Sequence, residues 1–211
     1  MRRRLCIVAA ALVAALVFGA NAKADTPVGS ATLSPSLSSY SQTVNVPDSA
    51  YPNGQLTFTL TQNAETPDTA TALDSQMTGE PALNLTCVKG GAAAEVKYKN
   101  AGISVVTLWT YAQVIIFKHC SWVNSTGLHG KITKIYNFFD EALDSCCGWG
   151  WNGDVVTPQH SSLPTDNLAT YTKGNFSACL PWPINLCENK YPWIRLHLNG
   201  FGKRTSFTWG T

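Results

Sequence analysis

Residues 103–122 alternate between two sets of side chains with a period of two, and no other feature of the sequence restricts the fold as strongly. One set is Trp109, Tyr111, Gln113, Ile115 and Phe117, and the other is Leu108, Thr110, Ala112, Val114 and Ile116. A helix is the competing interpretation, but the period of two and the many β-branched and aromatic residues favour a strand. Because this would be a long strand, we expect a bulge, or a break near Ala101 and Gly102.

Shorter strand patterns fill most of the second half of the chain. Turn residues at 124–130 followed by an apolar pattern at 131–139 predict a hairpin. Residues 139–144 are the one stretch with helix-forming character, which predicts a single helical turn. Further strands are predicted near residues 83–87, 95–99, 149–156, 169–179, 193–199 and 206–209. Short strands separated by Gly, Pro and Asn turns indicate an all-β protein, an antiparallel β-sandwich.

The segment from residue 25 to residue 82 is rich in Ser, Thr and Pro and has few aromatic residues. We therefore expect a loosely ordered N-terminal segment ahead of a disulfide-bonded β-sandwich domain at 83–211. Two stretches in it alternate like strands, at residues 42–46 and 55–61. Residues 64–80 carry no periodicity and predict an extended loop or linker.

Residues 1–24 have the order of a secretory signal peptide. Arg2, Arg3 and Arg4 precede an apolar run at residues 5–18, and Ala22-Lys23-Ala24 has the small residues that signal peptidase requires. The apolar run is too short to cross a bilayer as a helix. We expect a mature chain that begins at Asp25, is secreted to the extracellular space and does not associate with the membrane.

The charge of the mature chain argues against a nucleic-acid partner. Of the 15 basic residues, four leave with the leader, so that 11 face 13 acidic residues and the formal charge is −2. A protein that binds nucleic acid through its phosphates carries an excess of positive charge instead.

Six cysteines follow the leader: Cys87, Cys120, Cys146, Cys147, Cys179 and Cys187. In an oxidising compartment an even number favours up to three disulfides, and six cysteines allow 15 pairings. Cys179 and Cys187 flank a short loop with two prolines and are expected to pair with each other. A bridge between adjacent residues is strained, so Cys146 and Cys147 are expected to have two different, distant partners. Because no C-x-x-C or H-x-x-x-H spacing is present, we expect neither a metal nor a cofactor.

Tryptophans provide the candidate ligand-binding residues. Trp149 and Trp151 would share one face of a strand, where indoles can stack on sugar rings and the nearby Asn152 and Asp154 can bond hydroxyl groups. Trp182, between two prolines in the Cys179–Cys187 loop, would be a rigid contact for a partner. The alternative for all three indoles is packing in the core, which is the more frequent role of tryptophan in a sandwich.

None of the familiar catalytic motifs is present: there is no G-x-S-x-G, no H-E-x-x-H and no phosphate-binding glycine loop. A hydrolase would have to combine groups from separate strands, for example Asp154 with His160. Asp140, Glu141 and Asp144 lie so close in sequence that a solvated face explains them better than a glycosidase or Ca²⁺ site.

Four short motifs in the second half resemble a known group of sequences. They are residues 108–111 (LWTY), 148–153 (GWGWNG), 174–179 (GNFSAC) and 191–194 (YPWI). Over residues 101–202 the chain resembles small exported proteins of actinomycete bacteria. This resemblance implies a secreted β architecture and points to no particular activity.

The leading hypothesis from the sequence is a secreted, non-catalytic binding or surface-interaction protein whose partner is an extracellular polysaccharide or protein. Carbohydrate is the first ligand class to consider, because of the surplus of tryptophan. The alternatives are an extracellular hydrolase with acid and base groups from separate strands, and a secreted inhibitor or effector protein that docks through the 179–187 loop.

Overall fold

The chain folds as two six-stranded antiparallel sheets that pack against each other, which confirms the all-β sandwich. The structure is a computed structural model and describes residues 27, 29–31, 39–45, 54–68, 85–101, 106–145, 148–179, 187–202 and 204–210. The predicted leader at 1–24, the vicinal Cys146 and Cys147, and Trp182 lie outside these residues.

Sheet 1 contains the first strand of the chain and its last five. Along the sheet the order is β1, β12, β11, β9 and β10, and β8 pairs with β9. Its strands are β1 (Gly29–Ala31), β8 (Trp149–His160), β9 (Asn167–Cys179), β10 (Cys187–Lys190), β11 (Trp193–Asn199) and β12 (Arg204–Gly210). The strands β10 and β11 pair with successive parts of β9, so that together they act as one interrupted strand.

Sheet 2 contains the strands from β2 to β7. The order is β2, β3, β5, β6 and β7, and the short β4 pairs with β5 beyond the end of β3. Its strands are β2 (Ser39–Asn45), β3 (Gln55–Gln62), β4 (Thr66–Asp68), β5 (Thr86–Ala101), β6 (Val106–Asn124) and β7 (Gly127–Ser145). The strands β7 and β8 are therefore the edge strands of the two sheets and follow each other in sequence.

The long alternating segment is β6, and one of the two predicted sets of side chains is completely buried between the sheets. Five successive odd-numbered residues point between the sheets and are at most 1% exposed: Trp109, Tyr111, Gln113, Ile115 and Phe117. On the other face, Val114 and Ile116 are half-buried. Residues 102–105, where a break was expected, lie outside the described residues.

The N-terminal segment contributes more to the sandwich than the sequence indicated. Both predicted strands are present, as β2 and β3, and β3 buries Leu56, Phe58 and Leu60 completely. The predicted linker contains β4, in which Thr66 pairs with Lys89. Sheet 2 therefore includes residues before position 83, because three alternating apolar residues in β3 are enough to fill the core opposite sheet 1.

The predicted hairpin is formed by β6 and β7, which turn between Asn124 and Gly127. The helical turn expected at residues 139–144 is wrong, because these residues continue β7 along β6. Glu141 pairs with Ala112, and Asp144 pairs with Thr110. The long free edge of β6 supplies hydrogen bonds that outweigh the weak local preference of so short a segment for a helix.

The space between the sheets holds two apolar clusters. The larger cluster joins residues of β3, β5 and β6 to residues of sheet 1, and its rings stack across the interface: Phe58 on Trp209 at 4.4 Å and Trp109 on Phe176 at 5.0 Å between ring centroids. The smaller cluster consists of Ala92, Ile115, Phe117, Ile132, Leu168 and Leu198. Both clusters therefore bury contacts that link the two sheets.

Two disulfides are present among the described cysteines. Cys179 pairs with Cys187, as predicted, and Cys87 pairs with Cys120. Because these four cysteines are bonded to one another, none of them is the distant partner expected for Cys146 or Cys147. In both cases the two cysteines lie directly opposite each other on adjacent antiparallel strands. Each sheet is thus crosslinked once, and disulfides are compatible with an extracellular protein. In the part of the chain that the structure describes, no helix is long and apolar enough to cross a membrane.

The two disulfides should contribute unequally to stability. Cys87 and Cys120 are 33 residues apart, and Cys179 and Cys187 are 8 apart. A longer closed loop restricts the unfolded chain more, so we expect the Cys87→Ala/Cys120→Ala variant to lose about 4 kcal/mol and the Cys179→Ala/Cys187→Ala variant about 2.5 kcal/mol. Urea unfolding of both variants without reductant measures the difference. An equal or larger loss at Cys179 and Cys187 would contradict this account.

Candidate functional site

The two tryptophans predicted as a sugar platform point into the sandwich. Trp149 is 6% exposed and belongs to the larger apolar cluster, so its ring is not available to a ligand, and the platform interpretation is wrong for this residue. Trp151 shares the inner face of β8, as its spacing from Trp149 predicted, and is half-buried. The alternation was therefore interpreted correctly, but the face is the inner one.

Trp151 lies across β9 against the larger apolar cluster. Its ring stacks on Tyr111 at 5.5 Å between centroids and contacts Phe176 at 5.0 Å. A Cβ added to Gly174 would lie only 2.5 Å from the Trp151 ring, so glycine is needed there for the indole to approach β9. Trp151 is nevertheless half-buried rather than fully buried, so part of the residue remains accessible to solvent.

The other predicted residues of β8 and its loop lie apart from one another. Asn152 is exposed and donates through Nδ2 to Ser177 Oγ at 2.6 Å. His160 is exposed, bonds the backbone oxygen of Ser161 through Nδ1 at 2.8 Å and touches the ring of Phe138. The pairing of Asp154 with His160 that a hydrolase would need is not what the structure shows, because Asp154 is hydrogen-bonded to Asp140.

A bulge in β7 directs Asp140 into the sandwich. The pairing with β6 shifts by one residue after Ile135, since Phe117 faces Ile135 whereas Ile116 faces Asn137. Ile135 and Phe138 both pack on the smaller apolar cluster, although a regular strand would point them to opposite sides. The extra residue reverses the alternation, and Asp140 then follows Phe138 on the inner face.

Asp140 is held in place by two buried hydroxyl groups. Tyr111 and Thr172, both fully buried, each donate a hydrogen bond to Asp140 Oδ2, and their oxygens are also within hydrogen-bond distance of each other. Burial, followed by the hydrogen bond to Asp140, raises the pKa of Tyr111 far above its ordinary range. Tyr111 therefore stays protonated and remains a donor to the carboxylate.

Asp140 and Asp154 form a pair of carboxyl groups joined by a hydrogen bond. Burial and then the charge of Asp140 raise the pKa of Asp154 above its ordinary value. Two carboxylates in contact repel each other, whereas a shared proton turns the repulsion into a hydrogen bond. The exposed Asp154 thus presents carboxyl oxygens that can accept hydrogen bonds from a ligand.

Further polar side chains continue from Asp140 through the sandwich. Thr170 donates to Gln113 Oε1 at 3.0 Å, and Gln113 lies opposite Asp140 in the β6–β7 pairing. Gln113 Nε2 is buried and makes no hydrogen bond. We call Tyr111, Gln113, Asp140, Thr170 and Thr172 the buried polar layer. The layer separates the two apolar clusters. Along both β6 and β9, residues on one side of the layer belong to the larger cluster and residues on the other side belong to the smaller cluster.

The lateral carboxyl site is the outer end of this layer and consists of Asp140, Asp154 and the exposed part of Trp151. Asp140 is half-buried and Asp154 is exposed. The sequence contained one sign of the layer, because Gln113 interrupts the apolar inner face of β6. The partnership of Asp140 with Asp154 has no sequence signal, since it depends on the bulge and on the edges of two sheets. Among the described residues, no group of three His, Cys, Asp or Glu side chains could hold a metal ion.

Comparison with known proteins adds no relative: no family model, curated protein or solved structure matches the chain.

The raised pKa of Asp154 should make the folded state more stable as the pH falls from neutral towards 3.8, the ordinary value for this carboxyl. In that range the folded protein binds the proton that the unfolded chain releases, so ionisation of Asp154 costs stability at higher pH. Asp154→Asn keeps a donor to Asp140 without the charge. At pH 7 it should raise the free energy of unfolding by less than about 1 kcal/mol, because solvent screens this exposed group.

The stabilisation by Asp154→Asn should disappear below pH 4, and urea unfolding of both proteins at pH 7 and pH 3.5 measures it. Glu141→Gln is the matched control, since Glu141 is an exposed neighbour of Asp140 on β7. A gain from Asp154→Asn that is the same at both pH values would contradict the shared proton.

Proposed function

We propose that the protein is a secreted, non-catalytic binding protein and that its ligand is a carbohydrate held at the lateral carboxyl site. Secretion is supported by the leader pattern of residues 1–24 and by the two disulfides. The binding role is supported by the carboxyl pair, which is fixed from inside by Tyr111 and Thr172 and reaches solvent between two edge strands.

The observation that carries the proposal is the carboxyl pair, which is linked to Trp151 because the indole stacks on Tyr111 and Tyr111 bonds Asp140. Carboxylate oxygens accept hydrogen bonds from sugar hydroxyl groups, and such charge-assisted bonds are stronger than those between neutral groups. The exposed part of Trp151 offers an apolar surface for the C–H groups of a sugar ring. Because Tyr111, Thr172 and the apolar cluster already immobilise these groups, little conformational entropy is lost on binding.

The geometry supports binding better than glycoside hydrolysis. Retaining glycosidases separate their two carboxyl groups by about 5–5.5 Å and inverting enzymes by about 6.5–9.5 Å, so that the sugar or a water fits between them. Asp140 and Asp154 instead lie within hydrogen-bond distance of each other, which leaves no room for a sugar or a water between them. Their acidic character also disfavours nucleic acid as a ligand, because phosphate groups would be repelled.

One observation favours a second candidate, an extracellular hydrolase. A carboxyl group with a raised pKa near a second carboxylate can act as a general acid, and Asp154 has this property. The inhibitor or effector hypothesis depends on Trp182 and the loop that the Cys179–Cys187 disulfide closes, and Trp182 lies outside the described residues.

Titration with neutral oligosaccharides, measured by calorimetry and by tryptophan fluorescence, tests the proposal. We expect Asp154→Ala to weaken binding by about tenfold to a hundredfold, the value of one or two hydrogen bonds to a charged group. Glu141→Gln, on the exposed side of the neighbouring strand, should bind like the wild type. If no oligosaccharide binds, or if Asp154→Ala binds normally, the proposal is wrong.

The same samples distinguish the hydrolase. Release of new reducing ends by the wild type, and its loss in Asp154→Asn, would identify catalysis in place of simple binding.

A further inference from the structure

Three lysines lie side by side on the outer face of sheet 2. In the strand pairing Lys89 of β5 is directly opposite Lys118 of β6, and Lys118 is directly opposite Lys134 of β7. Residues that are directly opposite point to the same side of a sheet, on strands about 4.8 Å apart. We call Lys89, Lys118 and Lys134 the lysine row.

The lysine row is an unfavourable arrangement for the protein alone. Like charges directly opposite each other on neighbouring strands destabilise a sheet, and here the unfavourable pairing occurs twice in succession. Lys118, in the centre, is 4% exposed and lies 3.8 Å from Asp68 Oδ2 on β4. The two outer lysines, Lys89 and Lys134, are exposed and accessible from solvent.

Tyr136 brings the two exposed lysines together. Its ring is 41% exposed, and the Nζ atoms of Lys89 and Lys134 lie 4.6 Å and 5.0 Å from the ring centroid. The hydroxyl of Tyr136 donates to Asp68 Oδ2 at 2.7 Å and so fixes the ring. Cation–π contacts with one fixed ring hold two long side chains near each other and reduce the entropy that they would lose on binding an anion.

We propose that the lysine row binds an acidic polysaccharide, with Lys89 and Lys134 pairing with carboxylate or sulfate groups of neighbouring sugars. The occupant is inferred from charge complementarity: anions placed along the row would neutralise the like charges that the sheet brings together. Two exposed cations that contact the same ring suit a chain that carries acidic groups at regular intervals.

This surface is independent of the lateral carboxyl site. Lys134 and Asp140 are six residues apart on β7, which is about 20 Å along a strand, and they face opposite sides of sheet 2. Loss of one activity would therefore leave the other intact, and each can be tested by itself.

The test is calorimetric binding of a sulfated and a carboxylated polysaccharide to the full chain, with neutral dextran as a reference. Lys89→Gln/Lys134→Gln removes both exposed charges and keeps long polar side chains. We expect this variant to bind the acidic polysaccharides at least tenfold more weakly, and the wild-type affinity to fall as salt is added. The two polysaccharides show whether sulfate or carboxylate is preferred.

Lys99→Gln is the matched control, because Lys99 is exposed on the same face of β5 at the other end of the strand. It should bind within about twofold of the wild type, as expected for a surface charge outside the contact.

Two results would overturn the proposal. One is a failure of the expected binding: the wild type does not bind acidic polysaccharide, or the double variant binds it as tightly as the wild type does. The other is double-stranded DNA, or vesicles of phosphatidylserine and phosphatidylcholine, bound more tightly than either polysaccharide through the same lysines. Binding of neutral oligosaccharides should not change in the double variant, so failure here would differ from failure of the function proposed for the lateral carboxyl site.

Discussion

The register shift between Ile135 and Asn137 of β7, one of three in the pairing of β7 with β6, decides which side of sheet 2 Asp140 faces. Before the shift, Ile135 packs inward, and after it Phe138, Asp140 and Ala142 contact the interior. Without the extra residue, Asp140 would point to solvent and could not reach Tyr111 or Thr172. The same bulge lies beside Tyr136, which is exposed next to the lysines. One local irregularity thus gives β7 an acidic group on the inner face and a basic surface on the outer face.

Parts of the fold that depend on one strand alone could be predicted from the sequence. The alternation in β6 and in β3 was predicted because a buried strand face repeats every second residue, and the β6–β7 hairpin was predicted from the turn residues between two such patterns. The Cys179–Cys187 pair was predictable because the loop between the cysteines is short. In each case the sequence pattern and the structural feature that it predicts lie in one continuous segment of the chain.

The remaining features depend on which strands become neighbours. The helical turn expected at residues 139–144 is replaced by strand because β6 offers a partner along its whole length. Cys87 and Cys120 meet through the β5–β6 register, and Asp140 meets Asp154 through the edges of two sheets. Trp149 faces inward because β8 pairs with β9 at that point. A side chain's position along the strand showed the alternation correctly, but only the sheet order shows which face is covered.

The change of neighbours along β9 has a consequence for local opening of the structure. One edge of β9 pairs with β11 from Asn167 to Lys173 and with the four-residue β10 from Phe176 to Cys179, and near the junction Gly174 N bonds Pro192 O at 2.9 Å. The far end of β9 is therefore tied on that edge by a short strand and a disulfide rather than by the continuous ladder. Amide hydrogens of Phe176–Cys179 should therefore exchange with deuterium through a local opening of the structure. Those of Asn167–Lys173 should exchange only when the whole sheet unfolds.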